Sequence, residues 1–88
     1  MNNKMDLETA FSINLKRLRE EKGLQQGELA KLLGISQNAL SEIEGAKRFP
    51  QKNVRDKIKK FFKIEETDLT SHPELLSAFK IFNKNKLK

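Results

Sequence analysis

Residues 26–43 read QGELAKLLGISQNALSEI, and the fold is decided there. Leu29, Ala30 and Leu33 recur at i, i+1 and i+4 before Gly34; Ile35, Leu40 and Ile43 recur at i, i+5 and i+8 after it, with Ser36 between as a helix N-cap. Two short helices folded around one glycine make a helix-turn-helix. Each small residue has a steric task in it. Ala30 sits where two steeply crossing helices bring their backbones close, so a side chain larger than methyl pushes them apart. Gly34 accepts the positive φ that the sharp turn demands.

A plain helical hairpin accounts for the apolar positions but leaves Gln37, Asn38, Ser41 and Glu42 without a role. At about 100° per residue these four share the outward arc of the second helix, while Leu40 and Ile43 face inward. A polar arc on the second helix of a helix-turn-helix is suited to reading base edges in the DNA major groove. Gln37 and Asn38 can each make paired hydrogen bonds to adenine N6 and N7, Glu42 can accept from cytosine N4, and Ser41 is permissive. Glu42 also repels phosphate, which weakens binding wherever its base partner is missing.

Composition narrows the function classes. The 88 residues make one domain with a small core, and 36% hydrophobic with 34% charged residues suits a helical domain better than a disordered tail. A net charge of +6 favours a polyanionic partner such as double-stranded DNA, although a lysine-rich solvated surface gives the same number. With no cysteine and one histidine there is no material for a disulfide framework, a thiolate metal site or a nucleophile–base pair. No metal, cofactor or enzymatic activity is expected. No apolar run reaches the ~18 residues of a membrane span and the N-terminus lacks the apolar core of a signal peptide, so the expected location is the cytoplasm.

In chain order, a first helix is expected from an Asp6 N-cap to just before Gly23, with Leu7, Phe11, Leu15 and Leu18 on its core stripe. Ile13 lies nearly opposite Leu15, either as a contact for something else or as a lone exposed isoleucine. Lys16, Arg17, Arg19 and Lys22 suit the negative end of that helix. Gln25 is a poor cap for the second helix. Gly27 either weakens it or lets a backbone approach closely, as a phosphate contact requires. After Glu44 comes a loop carrying Lys47 and Arg48, with Phe49 pinning it to the core and Pro50 barring a continuing helix. A fourth helix over about Lys52 to Phe62 turns Val54, Ile58, Phe61 and Phe62 inward and presents a solvated basic face with Arg55, Lys57, Lys59, Lys60 and Lys63. Ile64 and Leu69 flank a single acidic turn. Ser71 and Glu74 then form a capping box for a last helix, with His72 as an exposed spacer. Leu75, Leu76, Ala78, Phe79, Ile81 and Phe82 cover more than half of that helix, where a stripe of about 100° would suffice for packing on its own domain. The excess is expected to bury against a partner, with Leu75, Leu76, Phe79, Ile81 and Phe82 as the dimer interface. Residues 1–70 are thus the DNA-binding domain and 71–88 a dimerisation helix with a basic tail.

Phe11, Leu15, Leu18-Arg19, Gly23-Leu24, Gln26, Glu28-Leu29-Ala30, Leu33-Gly34, Ser36, Ser41, Ile43-Glu44, Lys47-Arg48 and Pro50 together resemble the Cro and phage-repressor type of helix-turn-helix, the xenobiotic-response-element family. The resemblance runs from about Phe11 to Leu69. It implies an all-α, compact five-helix bundle of the lambda-repressor-like type, and a dimeric regulator on operator DNA. It further implies that Gln26 touches phosphate and supports Gln37, and that Arg19 pairs with Glu44. Three departures from the family pattern matter, at Ala46, at Arg55 with Lys59, and at Gln25. Ala46 replaces a usual glycine, so either Gly45 takes the left-handed cap or the loop runs differently. Arg55 and Lys59 stand at positions that are often apolar, which suggests a rotated or less buried fourth helix. Gln25 replaces a hydroxyl cap.

The reading is a dimeric repressor on a near-palindromic operator, with Gln37, Asn38, Ser41 and Glu42 at the bases and Gln26, Lys47 and Arg48 at phosphates. The alternative is an antitoxin or adaptor whose C-terminal helix binds a different protein.

Overall fold

The computed structural model describes residues 6–71, and they form five helices: α1 (Leu7–Glu21), α2 (Gln26–Leu33), α3 (Gln37–Glu44), α4 (Lys52–Phe62) and α5 (Glu66–Thr70). α1 begins where Asp6 accepts from the Thr9 N–H at 2.9 Å, and α3 where Ser36 Oγ accepts from the Ala39 N–H at 3.0 Å. α2 starts by the reciprocal route: the Glu28 carboxylate takes the Gln25 backbone N–H at 2.7 Å. The weak cap at Gln25 is thereby offset from inside the helix.

Four helices end on a left-handed residue, with the N–H beyond it reaching back five residues: Leu24 to Arg19, Ile35 to Ala30, Lys47 to Glu42 and Ile64 to Lys59. At α1 and α2 the left-handed residue is Gly23 (φ +70°) or Gly34 (φ +71°). After α3 it is Ala46 (φ +60°), whereas Gly45 has φ −92°. The left-handed cap therefore falls on the alanine itself, contrary to a cap at Gly45. Lys63 ends α4 in the same way at φ +58°.

α1 packs on α3 and α5, and α2 packs on α3 and α4, around Phe11, Leu15, Leu29, Ala30, Leu33, Leu40, Ile43, Ile58, Phe62 and Leu69. Leu7 departs from the expected stripe and is 55% exposed, because the bundle begins one turn further along α1, at Ala10 and Phe11. Leu18 only flanks the core. Asn14, which an apolar reading passes over, is fully buried: its amide donates to the Leu69 and Ser71 carbonyls at 2.8 and 2.9 Å, and Arg17 Nη2 donates to its oxygen at 3.3 Å. Phe49 pins the α3–α4 loop by meeting the Phe11 ring edge-on at 5.3 Å.

The basic face of α4 is smaller than its sequence suggests. Arg55 and Lys59 are half-buried and converge on Glu66 of α5, at 2.9 and 3.1 Å. Arg55 also donates to the Pro50 carbonyl at 2.8 Å and lies over the Phe49 ring at 5.1 Å. α4 is thus packed on that side through ion pairs, where a solvated basic face was expected. α5, read as a single turn, completes the five helices and buries Leu69. The capping box at Ser71–Glu74, the last helix and His72 fall outside the described residues, apart from Ser71 itself.

Candidate nucleic-acid interface

The reading helix is held by its inner side. Ala30 is 2% exposed beneath the turn, and Leu40 and Ile43 are buried. That packing leaves Gln37, Asn38 and Ser41 exposed along the outer side of α3, with Glu42 half-exposed. No acidic residue occupies the first turn of α3, so no carboxylate on that turn competes for its amide end.

Glu44 closes α3 and is nearly dry, with its side chain 4% exposed. A carboxylate at the negative end of a helix requires compensation. Arg19 supplies it through a two-pronged contact: Nε donates to Oε2 at 2.8 Å and Nη2 to Oε1 at 3.1 Å, while Nη1 donates to the Leu24 carbonyl at 2.8 Å. Hydrogen bonding to Glu44 raises the Arg19 pKa above its ordinary value, so the guanidinium stays charged. Gln26 joins the cluster by donating from Nε2 to Glu44 Oε1 at 3.1 Å. Glu44 therefore ties the end of α1, the start of α2 and the end of α3 together. One amide hydrogen of Gln26 is used on Glu44, and the other has no hydrogen-bond partner among the described residues.

Gly27 touches Gln37. A Cβ built at Gly27 would stand 3.1 Å from Gln37 Oε1, so the missing side chain makes room for the first residue of α3. Gly27 was expected either to weaken α2 or to let a backbone approach closely for a phosphate contact; what stands against it is the Gln37 side chain. The signal was the combination of glycine in a first helical turn with glutamine opening the next helix.

Lys47 and Arg48 are exposed in the loop after α3. Arg48 Nη2 is in salt-bridge contact with Glu42 Oε1, which joins a residue assigned to phosphate to one assigned to a base. Lys47 forms no salt bridge among the described residues. Leu75, Leu76, Phe79, Ile81 and Phe82 lie outside the described residues.

A helix-turn-helix family profile matches residues 15–69, which includes every contact above that ties α1, α2 and α3 together. The chain belongs to the Cro/C1-type helix-turn-helix family. The family is one of DNA-binding transcriptional regulators. A curated relative, the HTH-type transcriptional activator BcrR of Enterococcus faecalis, is 35% identical over 78 residues, covering 89% of this chain. The chain spans only 38% of that relative's length. Two solved structures share the fold. The SOS-response transcriptional repressor LexA of Eubacterium rectale superimposes with a TM-score of 0.75 at 23% identity, over 84% of this chain and 79% of that one. A hypothetical transcription factor, NHTF, from Neisseria gives 0.76 at 22% identity, over 84% and 85%. Among the described residues no helix is long and apolar enough to cross a membrane.

Proposed function

We propose that this helix-turn-helix chain acts in the cytoplasm as a dimeric repressor that reads a near-palindromic operator through α3. The observation that supports this most is the exposed row of Gln37, Asn38 and Ser41 on a helix whose inner face is locked by Leu40, Ile43 and the Arg19–Glu44 pair. Gln37 and Asn38 have the chemistry for adenine, and Gln26, Lys47 and Arg48 flank them for phosphates. One subunit presents few contacts, so two copies about 34 Å apart provide the selectivity an operator needs. Leu75, Leu76, Phe79, Ile81 and Phe82 are the proposed dimer interface, on the strength of their sequence spacing.

The test is a binding titration on the intact chain, together with light scattering. A dimer neutralising about 6–10 phosphates loses ~10³–10⁵ in affinity between 50 and 200 mM salt. Salt-independent binding contradicts the mechanism. A stable monomer in light scattering contradicts the dimer and favours an adaptor or antitoxin that offers Leu76, Phe79 and Phe82 to another protein.

A second reading concerns the sign of regulation. BcrR is named an activator, which favours activation for this chain as well. A reporter carrying the bound site separates the two: repression lowers its output and activation raises it.

A further inference from the structure

Two charged groups on the reading side are already joined to each other. Arg48 and Glu42 form a salt bridge with side chains 53% and 36% exposed, so water, ions and DNA can reach both. Glu42 stands on α3 and Arg48 in the loop that follows. The loop is fastened to α3 by the Lys47 N–H on the Glu42 carbonyl at 2.9 Å and the Ala46 N–H on the Ile43 carbonyl at 3.2 Å. Both ends of the pair therefore rest on fixed backbone. Among the described residues neither side chain has a second salt bridge.

We infer that Glu42 is an internal counter-ion for Arg48, limiting the affinity of the loop for DNA of any sequence; this rests on the DNA-binding reading above. A guanidinium has five N–H donors, so a contact with one carboxylate leaves donors for a phosphate. Each phosphate that a protein cation neutralises releases a condensed counter-ion, and that release drives sequence-independent binding. If Arg48 keeps Glu42 while it touches a phosphate, the group retains a negative charge and releases no net cation. If Arg48 leaves Glu42 for the phosphate, DNA sheds a cation and Glu42 gains one. By either route Arg48 supplies directional hydrogen bonds without the salt-dependent attraction. Lys47, which has no such partner, supplies that attraction in full. Glu42 is then a positioning residue that acts through Arg48, not an acceptor for cytosine N4.

The experiment measures log K against log salt for the intact protein on an operator recovered from random DNA and on an unrelated duplex. Wild type is compared with Glu42→Gln, Arg48→Ala, the double variant, and Glu8→Gln, which removes the same charge from an exposed site on α1. Glu42→Gln is expected to steepen the slope by about 0.9 per subunit on both duplexes, an extra loss between 50 and 200 mM salt of roughly 3- to 4-fold per subunit, or about 12-fold for the dimer. It is also expected to tighten binding to the unrelated duplex more than to the operator. Arg48→Ala and the double variant keep the wild-type slope, and so does Glu8→Gln. An Arg48→Ala slope flattened by about 1 means Arg48 is an ordinary phosphate contact and overturns the inference. A Glu42→Gln variant that keeps its slope but changes preference at one base pair shows a base reader and overturns it too. Wild type that binds neither duplex overturns the DNA-binding reading and this inference with it.

Discussion

Arg19 and Glu44 meet across the bundle through two contacts of 2.8 and 3.1 Å, with side chains 11% and 4% exposed. The pair joins the end of α1 to the end of the helix whose outer face carries Gln37, Asn38 and Ser41. Removing one partner leaves the other charged and buried. Arg19→Ala is expected to destabilise folding by about 3–5 kcal/mol, read from urea unfolding. Arg19→Lys is expected to recover only part of this, because an ammonium cannot reproduce the fork.

Asn14→Ala strips the donors from the Leu69 and Ser71 carbonyls without removing much apolar surface. A loss of about 2–4 kcal/mol is expected: roughly 1–3 kcal/mol for the buried Leu69 carbonyl left unpaired and about 1 kcal/mol for the part-buried bond to Ser71. A change below 0.5 kcal/mol, within about the range of a surface substitution, contradicts this anchoring of α5 to α1.

Ala46→Gly is expected to stabilise the protein by about 1 kcal/mol, because the left-handed conformation at φ +60° costs an L-residue and not glycine. The midpoint of urea unfolding rises, and the secondary structure is unchanged.

Acid is expected to loosen the α4–α5 junction. The hydrogen bond from Lys59, with the nearby Arg55, holds the Glu66 carboxyl below its ordinary 4.5; the bond from Lys52, with Lys59, lowers Asp56 below 3.8. Below those ordinary values the unfolded chain binds more protons than the folded one, so this stability is present above them and is lost as pH falls through the lower folded values. Lys59, raised above 10.5 chiefly by its bond to Glu66, contributes below 10.5 and loses its contribution as pH rises through the folded value. Exposure and salt weaken all three effects. Glu66→Gln is expected to flatten the acid limb of a stability–pH curve; an unchanged limb contradicts the assignment.

Local steric demands made the centre of the fold legible. Ala30, Gly34 and Ser36 have tasks that their immediate neighbours define, so α2, the turn and α3 follow from the sequence alone. Long-range polar contacts have no such signal. The separation of 25 positions between Arg19 and Glu44 follows no period, and their pairing was expected only through resemblance to a family. Asn14 lies on the buried side of α1, yet its partners are backbone carbonyls more than 50 residues away. Charge misled at Arg55 and Lys59: a lysine-rich helix reads as solvated until Glu66 arrives from the next element. Periodicity misled at Leu7, which continues the stripe of α1 beyond the point where the other described helices cover it.

Gly27→Ala separates folding from reading. Alanine favours the helix by up to about 1 kcal/mol, while its methyl group presses on Gln37 Oε1, the mobile end of a flexible side chain. Greater stability with weaker discrimination at the base pair of Gln37 is expected, measured by unfolding and by competition between operator variants.

Selection of bound sites from random DNA, run in parallel with wild type and Gln37→Ala, tests the central claim most directly. Wild type is expected to recover a recurring half-site in two-fold repeat. The same site, with discrimination at one base pair per half weakened by about 1–3 kcal/mol, is predicted with the variant. No enrichment with wild type, or identical discrimination at every position with Gln37→Ala, contradicts the claim that α3 reads the DNA.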